Sequence, residues 1–281
     1  MKPSILINHD ITAVLVVLNN VQGIRSCLTS VVEQNLNDIV VVDGGSTDGT
    51  IEELKKFPCE LYQIGKTGLS HSRQFGVDKV KTKYVLLVDS DNILHSSCAI
   101  DLKTYLMGSN FSGVSAKKVS FIKNNIFCSF QEWMNSKKIN VEGDKLVIGT
   151  PALYITDVVK EVRYDPAVKK GDDTDFCYRL KKVGHSVGTG SGLCYEKMQD
   201  NLTDFLEKAY LYGQADAEFF VKHKERRLNI GTHVLRNYLI KMVYSAILDI
   251  KLHYLPLVFS YSIMRMAGLY ISVVKNSFRS V

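Results

Sequence analysis

In the first third of the chain, short apolar runs alternate with segments of helical periodicity, and this alternation limits the fold more than any other feature. Ala13 to Leu18, Asp38 to Val42, Glu60 to Ile64 and Tyr84 to Val88 read as strands. Between them, Ile24 to Glu33, Thr50 to Lys56 and Leu69 to Val80 carry the spacing of helices. Strands separated by helices pair through crossovers, so the sheet they build is mostly parallel, with ligands held beyond the carboxyl ends of its strands. With 281 residues, 46% of them hydrophobic, the chain can bury a substantial core. An α/β fold with a mostly parallel central sheet flanked by helices is expected.

Two of the strand ends carry acids. Val40-Val41-Val42-Asp43-Gly44-Gly45-Ser46-Thr47-Asp48-Gly49-Thr50 is a strand, a glycine-rich turn and a helix start. Asp43 stands at the strand end, able to accept hydrogen bonds from a ribose or a base, while Asp48 or Thr50 suits a helix cap. The segment is neither a G-x-G-x-x-G fingerprint nor a P-loop. Tyr84 to Val88 runs into Asp89-Ser90-Asp91. Two acids spaced i, i+2 at a strand end suit a divalent cation that bridges to a diphosphate, and they equally suit an ordinary acidic turn. From about residue 110 to 170 the pattern shortens and mixes, around Trp133, Gly149-Thr150-Pro151 and the strand-like Ala152 to Ile155. An acceptor-binding half is expected there.

The six cysteines are scattered without a C-x-x-C pair, and no basic, apolar leader opens the sequence. A reduced, cytoplasmic setting without a cysteine zinc site is expected. The net charge of +6 is concentrated late: residues 222–281 hold ten Lys or Arg against Glu225 and Asp249. That region is also apolar, Tyr254 to Val274 being interrupted by Arg265 alone. A basic, apolar tail favours the cytosolic face of an anionic membrane over nucleic acid, with a pair of core-packing helices as the alternative. The chain divides by composition into residues 1–221, with a donor half at about 11–110 and an acceptor half at about 111–221, and a helical extension at 222–281.

Asn19, Ser30, Gln34, Asp43, Gly68, Arg73, Asp89 and Asp91 occur in the order of a known pattern: an Asn after the first strand, S-x-x-x-Q, V-D-x-G-S-T-D-G-T, G-x-x-x-x-R and D-x-D. Over roughly residues 11–215 the chain thereby resembles the inverting family 2 glycosyltransferases of GT-A fold. The resemblance implies that Leu18, Asn19 and Asp43 line a nucleoside pocket, that Arg73 approaches the diphosphate, and that Gly68, Asp89 and Asp172 also belong to the substrate-binding set. It also implies that Asp91, helped by Asp89, holds Mg²⁺ or Mn²⁺. Gly44 stands where many members have a second Asp. Gly171-Asp172-Asp173 resembles the family's E-D motif, with Asp172 in place of the Glu, which makes Asp173 the implied general base. Glu196 stands where a third metal or phosphate contact is expected.

The function expected on this basis is metal-dependent transfer of a sugar from a nucleotide-diphosphate donor to an acceptor hydroxyl or a lipid phosphate, the acceptor being a glycan or lipid-linked. A sugar-1-phosphate nucleotidyltransferase shares a related sheet. However, Leu18-Asn19-Asn20-Val21-Gln22-Gly23 lacks the basic glycine-rich loop expected after its first strand. A non-catalytic nucleotide- or glycan-binding scaffold at a membrane is the third reading, against which the separated acids Asp91 and Asp173 argue.

Overall fold

The computed structural model describes residues 8–279, with side chains as far as residue 275. The outermost residues of the two expected domains, 1–7 and 280–281, lie outside the described residues. Two compact units are present, the first built from the chain up to Val119 and from Ile139–Lys197, the second from Ser120–Lys138 and from Met198 onward.

In the first unit the expected alternation is realised as β1 (Asn8–Val17), α1 (Ile24–Val32), β2 (Leu36–Asp43), α2 (Thr50–Leu54), β3 (Glu60–Gln63), α3 (Leu69–Lys79) and β4 (Tyr84–Asp89). These four strands pair in parallel in the order β3-β2-β1-β4. Successive side chains of a strand point to opposite faces, so a central strand covered on both sides reads as one continuous apolar run. On β1, Ile11, Ala13, Leu15 and Val17 join a core with Ile24, Leu28 and Val31 of α1. Val14 faces the other way, with Val77 of α3. In register, Val17 lies beside Asp43 and Val16 beside Asp89. The two acids therefore flank the carboxyl end of β1.

Beyond β4 come β5 (Asn92–Leu94), α4 (Cys98–Met107), β6 (Gly113–Ser120), α5 (Ile126–Ser136), β7 (Gly143–Lys145), β8 (Ala152–Ile155), α6 (Thr156–Val162), α7 (Asp172–Lys182) and β9 (Val187–Glu196). The sheet turns antiparallel here: β8 pairs β4 and β6, and β9 pairs β5 and β7. The parallel run expected from the first third is confined to that third. The antiparallel pairs join segments far apart in the chain, and β5 and β7 are three residues each, so period alone does not mark them. Phe176 and Leu180 of α7 pack onto the β1–β4 face that also carries α3, which brings the start of α7 near Arg73.

The second unit is helical: α5, α8 (Leu202–Lys222), α9 (Arg227–Val234), a π-helical turn (Leu235–Ile240), α10 (Lys241–Leu248) and α11 (Leu255–Arg279). Its core joins Phe130, Trp133 and Met134 of α5 with Phe205 and Ala209 of α8, and with Met242, Ala246, Tyr254, Val258 and Tyr261. Glycines let α8 and α11 touch backbone to backbone: a Cβ at Gly213 would stand 2.1 Å from the Arg265 carbonyl oxygen, and one at Gly268 2.2 Å from that of Tyr210. The boundary read from composition at 221/222 thus falls within this unit, at the end of α8. Leu252–Lys275 is long and apolar enough to cross a membrane by length and composition, and a third of its most apolar window is buried in the protein.

Candidate active site

The loops at the strand ends are knitted together before any ligand is considered. Asp43 is 0% exposed, and its Oδ2 accepts hydrogen bonds from the Gly45 and Ser46 amides at 2.8 and 2.9 Å. Gly45 makes that turn possible at φ +95°, a region open to glycine. Asn19 takes φ +50°, which asparagine tolerates. Its Oδ1 accepts from the Thr47 amide at 2.8 Å, and its own amide donates to Ser46 Oγ at 2.8 Å. Asn19 and Asp43 are thus brought together, with their polar groups engaged in shaping the loop. Leu18, at 52% exposed, presents its side chain outward. Asn20, which the sequence reading passed over, extends the network: its Nδ2 donates to the Ser90 carbonyl at 2.8 Å and its amide to Thr50 Oγ1 at 2.9 Å. Its only sequence signal is its place beside Asn19.

Arg73 is the hub of the site. It lies on α3, which starts after Gly68 at φ +93° and reaches the sheet where Gly76 meets Val14. Arg73 is 2% exposed. Its Nη2 donates to Asp89 Oδ1 at 2.6 Å, and its Nη1 donates to Asp173 Oδ1 at 3.0 Å and to Asp172 Oδ2. The Tyr164 ring lies 5.7 Å from the guanidinium carbon. Thr150 Oγ1 donates to the other Asp89 oxygen at 2.6 Å, and a Cβ at Gly149 would stand 3.3 Å from Asp173 Oδ2. Gly149-Thr150-Pro151 is visible as a break in the pattern, but its partners are not, because Asp173 lies 24 residues from Gly149 and Asp89 lies 61 from Thr150 in the chain.

The acids diverge electrostatically. Burial opposes ionisation of Asp89, but the Arg73 charge and the hydrogen bonds from Thr150 and Arg73 outweigh it and hold the carboxyl below its ordinary value. Asp173 goes the other way: burial, with the charges of Asp172 and Asp89 adding to it, pushes its carboxyl up to about 7 against the pull of Arg73. Its side chain keeps 26% exposure, so a reactant can reach it. Arg73, surrounded by three acids, is held charged well above its ordinary value despite burial. Groups whose environments separate their proton affinities in this way are the recurrent arrangement of acid–base sites.

The three expected metal ligands do not converge. Among the described residues no three His, Cys, Asp or Glu side chains come together as a metal cluster. Asp89 is committed to Arg73 and Thr150. Glu196 sits opposite Asn92 in the β5–β9 register, close to the Asp89-Ser90-Asp91 turn, and is paired with Lys118 Nζ at 2.8 Å. Lys118 is a second cation of this region that the sequence reading missed, being one of two adjacent lysines on β6. Asp91 is exposed and accepts from Asn92 Nδ2 at 3.2 Å. One exposed carboxylate fits a Mg²⁺ whose remaining ligands are phosphate oxygens and water. It does not fit a cage built by the protein alone.

A parallel sheet with acids at the ends of β2 and β4, on either side of the asparagine-bearing loop after β1, continued by an antiparallel half, is the architecture of the GT-A nucleotide-diphospho-sugar transferases. The sequence profile of glycosyl transferase family 2 matches residues 12–162, and the chain belongs to that family. A pre-mycofactocin glycosyltransferase of Mycobacterium tuberculosis is 23% identical over 239 residues, which cover 78% of this chain and 49% of that protein. Glycosyltransferase GlyA of Streptococcus pneumoniae is 35% identical over 94 residues, 31% of this chain and 14% of that one. The chain thus spans about half the length, or less, of these curated relatives. Residues 1–349 of S. aureus TarS superpose with a TM-score of 0.54 at 14% identity, covering 96% of this chain and 91% of that structure. The same TarS fragment is known in complex with UDP, at TM-score 0.53 and 15% identity over the same shares of the two chains.

Proposed function

We propose that the protein is an inverting glycosyltransferase, in which a nucleotide-diphosphate sugar lies across the ends of β1, β2 and β4. The observation that carries this reading is the single guanidinium of Arg73 joining Asp89, at a strand end, to Asp173, whose carboxyl burial pushes upward. Leu18 and the loop held by Asn19 and Asp43 border the nucleoside, and Gly68 opens the helix that carries Arg73. Donor diphosphate competes for the Arg73 donors and so frees Asp173. Asp173 then takes the proton of an acceptor hydroxyl as its oxygen bonds to the anomeric carbon and the bond to the diphosphate breaks. Asp172 keeps Arg73 aligned in the meantime. A Mg²⁺ or Mn²⁺ held by Asp91, when bound, would neutralise charge on the diphosphate leaving group. The acceptor is a glycan or a lipid-linked molecule, and residues 222–281 rest on the cytosolic face of a membrane.

Uridine donors come first in a test, because TarS is known with UDP and UDP-GlcNAc. Nucleotide sugars are screened for stabilisation of the purified chain and for sugar transfer with divalent cation present. Asp173→Asn should retain donor binding and lose transfer by roughly a hundredfold or more. For the wild type, kcat/KM, which reports the free enzyme, should rise with pH through about 7 as Asp173 ionises. An unaltered rate in Asp173→Asn removes Asp173 as the base.

A further inference from the structure

The short helix α10 and the π-helical turn before it bury one side only. Met242 and Ala246 are 1% and 0% exposed. On the other side Ile240, Tyr244, Ile247 and Leu248 stand 56–63% exposed, at the i, i+4, i+7, i+8 spacing of a single helical face. Ile250, exposed and at φ +56°, and Leu252 carry this surface past the end of the helix. Large side chains so placed in water forfeit the burial that stabilises apolar surface.

The charges around this face are of one sign. Arg236, Lys241 and Lys251 are exposed. Asp249 is the one acid between residues 236 and 254, and it is held by Lys137 at 2.6 Å and by the Trp133 indole at 2.7 Å. An exposed apolar stripe bordered by lysines and arginines is complementary to a surface that is apolar beneath and anionic above. The longer α11 also exposes Phe259, Ile263 and Tyr270, but its other side is tied to the protein. Its Val258, Tyr261 and Leu269 are buried, and its Arg265 is paired with Asp216 of α8 through two hydrogen bonds of 2.7 and 3.0 Å. Drawing α11 across a bilayer would place that pair in hydrocarbon or break it.

We infer that α10 and the turn after it lie in the headgroup layer of an anionic membrane, with Tyr244, Ile247 and Leu248 among the acyl chains and Lys241 and Lys251 at the phosphates. This rests on the reading that the C-terminal region meets a membrane, and it assigns the contact to α10 lying flat rather than to α11 spanning. The full chain is sedimented with vesicles of mixed phosphatidylglycerol and phosphatidylcholine, and with vesicles of phosphatidylcholine alone. Binding should favour the anionic vesicles, weaken with salt, and be released by alkaline carbonate. Lys241→Glu with Lys251→Glu, two exposed positions that leave the core intact, should lower partitioning roughly tenfold or more. Tyr244→Ser, Ile247→Ser and Leu248→Ser together should do the same without shifting thermal unfolding. If the wild type binds and both variants bind equally, or if carbonate leaves the protein on the vesicles, the α10 assignment is overturned. A fall in molar mass in the apolar variant, measured by light scattering, overturns it too by making this face a contact between copies. A wild type that ignores all vesicles removes the membrane reading itself.

Discussion

Arg73 and its three carboxylates are the most demanding feature at the scale of single residues. Truncating it to methionine strands acids that its charge compensates, and breaking a buried ion pair in this way costs about 3–5 kcal/mol at neutral pH. The exposed part of Asp89 is relieved by water, so the lower end of that range is expected. The pH dependence follows from the carboxyls. Asp89 is held below its ordinary value, so its contribution is present above about pH 4 and is lost as pH falls through its folded value. Asp173 is raised, so its ionisation costs stability as pH climbs toward 7. In Arg73→Met both acids favour protonation in the folded state, and the deficit should therefore shrink on acidification. Urea unfolding of both proteins at pH 7 and pH 4.5 measures this, and a deficit independent of pH would show that the acids are compensated elsewhere. The sequence pattern contained each of these residues. What it left unseen is that they share one partner, because Arg73 and Asp173 are a hundred positions apart and their convergence is made by α7 packing beside α3. The roles of Thr150 and Lys118 are unseen for a plainer reason: neither a Thr within a turn nor one of two adjacent lysines carries a periodic or spacing signal.

At the scale of elements, α3 places Arg73, and Gly76 sets how closely α3 approaches the sheet. A Cβ there would stand 2.4 Å from Val14 Cγ1 and 3.2 Å from Val42 Cγ2. Both valines belong to strands buried on both faces, so neither can move aside freely. Gly76→Ala should cost about 1–3 kcal/mol by overpacking. Gly76 is one turn beyond Arg73, so the displaced helix carries the guanidinium away from Asp89 and Asp173. A shift of about 1 Å can cost roughly a hundredfold in rate, so kcat should fall more steeply than thermal stability does. Equal kcat in a folded Gly76→Ala protein would show that the carboxylates, and not the helix, locate Arg73. Strand and helix order was legible here because two-sided burial writes itself as unbroken apolar runs, as in Val40-Val41-Val42. The antiparallel strands were harder to read: β5 and β7 are three residues each, too short for alternation to appear.

At the scale of the whole molecule, composition located the basic, apolar region but not the unit to which it belongs. The charge excess begins near residue 222, whereas the helical unit also takes α5 and α8 from earlier in the chain. Local composition cannot reveal that Phe130 and Trp133 share a core with Tyr254, some 120 residues later, because such pairing is a property of the folded chain. The consequence is testable by removing residues 228–281. If those residues were an appendage, the remainder would be a clean soluble protein. In the structure they supply Met242, Ala246, Tyr254, Val258 and Tyr261, the side chains against which Phe130, Trp133, Phe205 and Ala209 pack. Deletion should therefore leave an aromatic surface on α5 and α8 that drives association. Light scattering after gel filtration should find aggregates, with or without detergent, while the sheet-bearing unit retains donor-induced stabilisation in whatever fraction stays soluble. A monodisperse truncated chain would mean that α5 and α8 find another way to cover Phe130, Trp133 and Phe205.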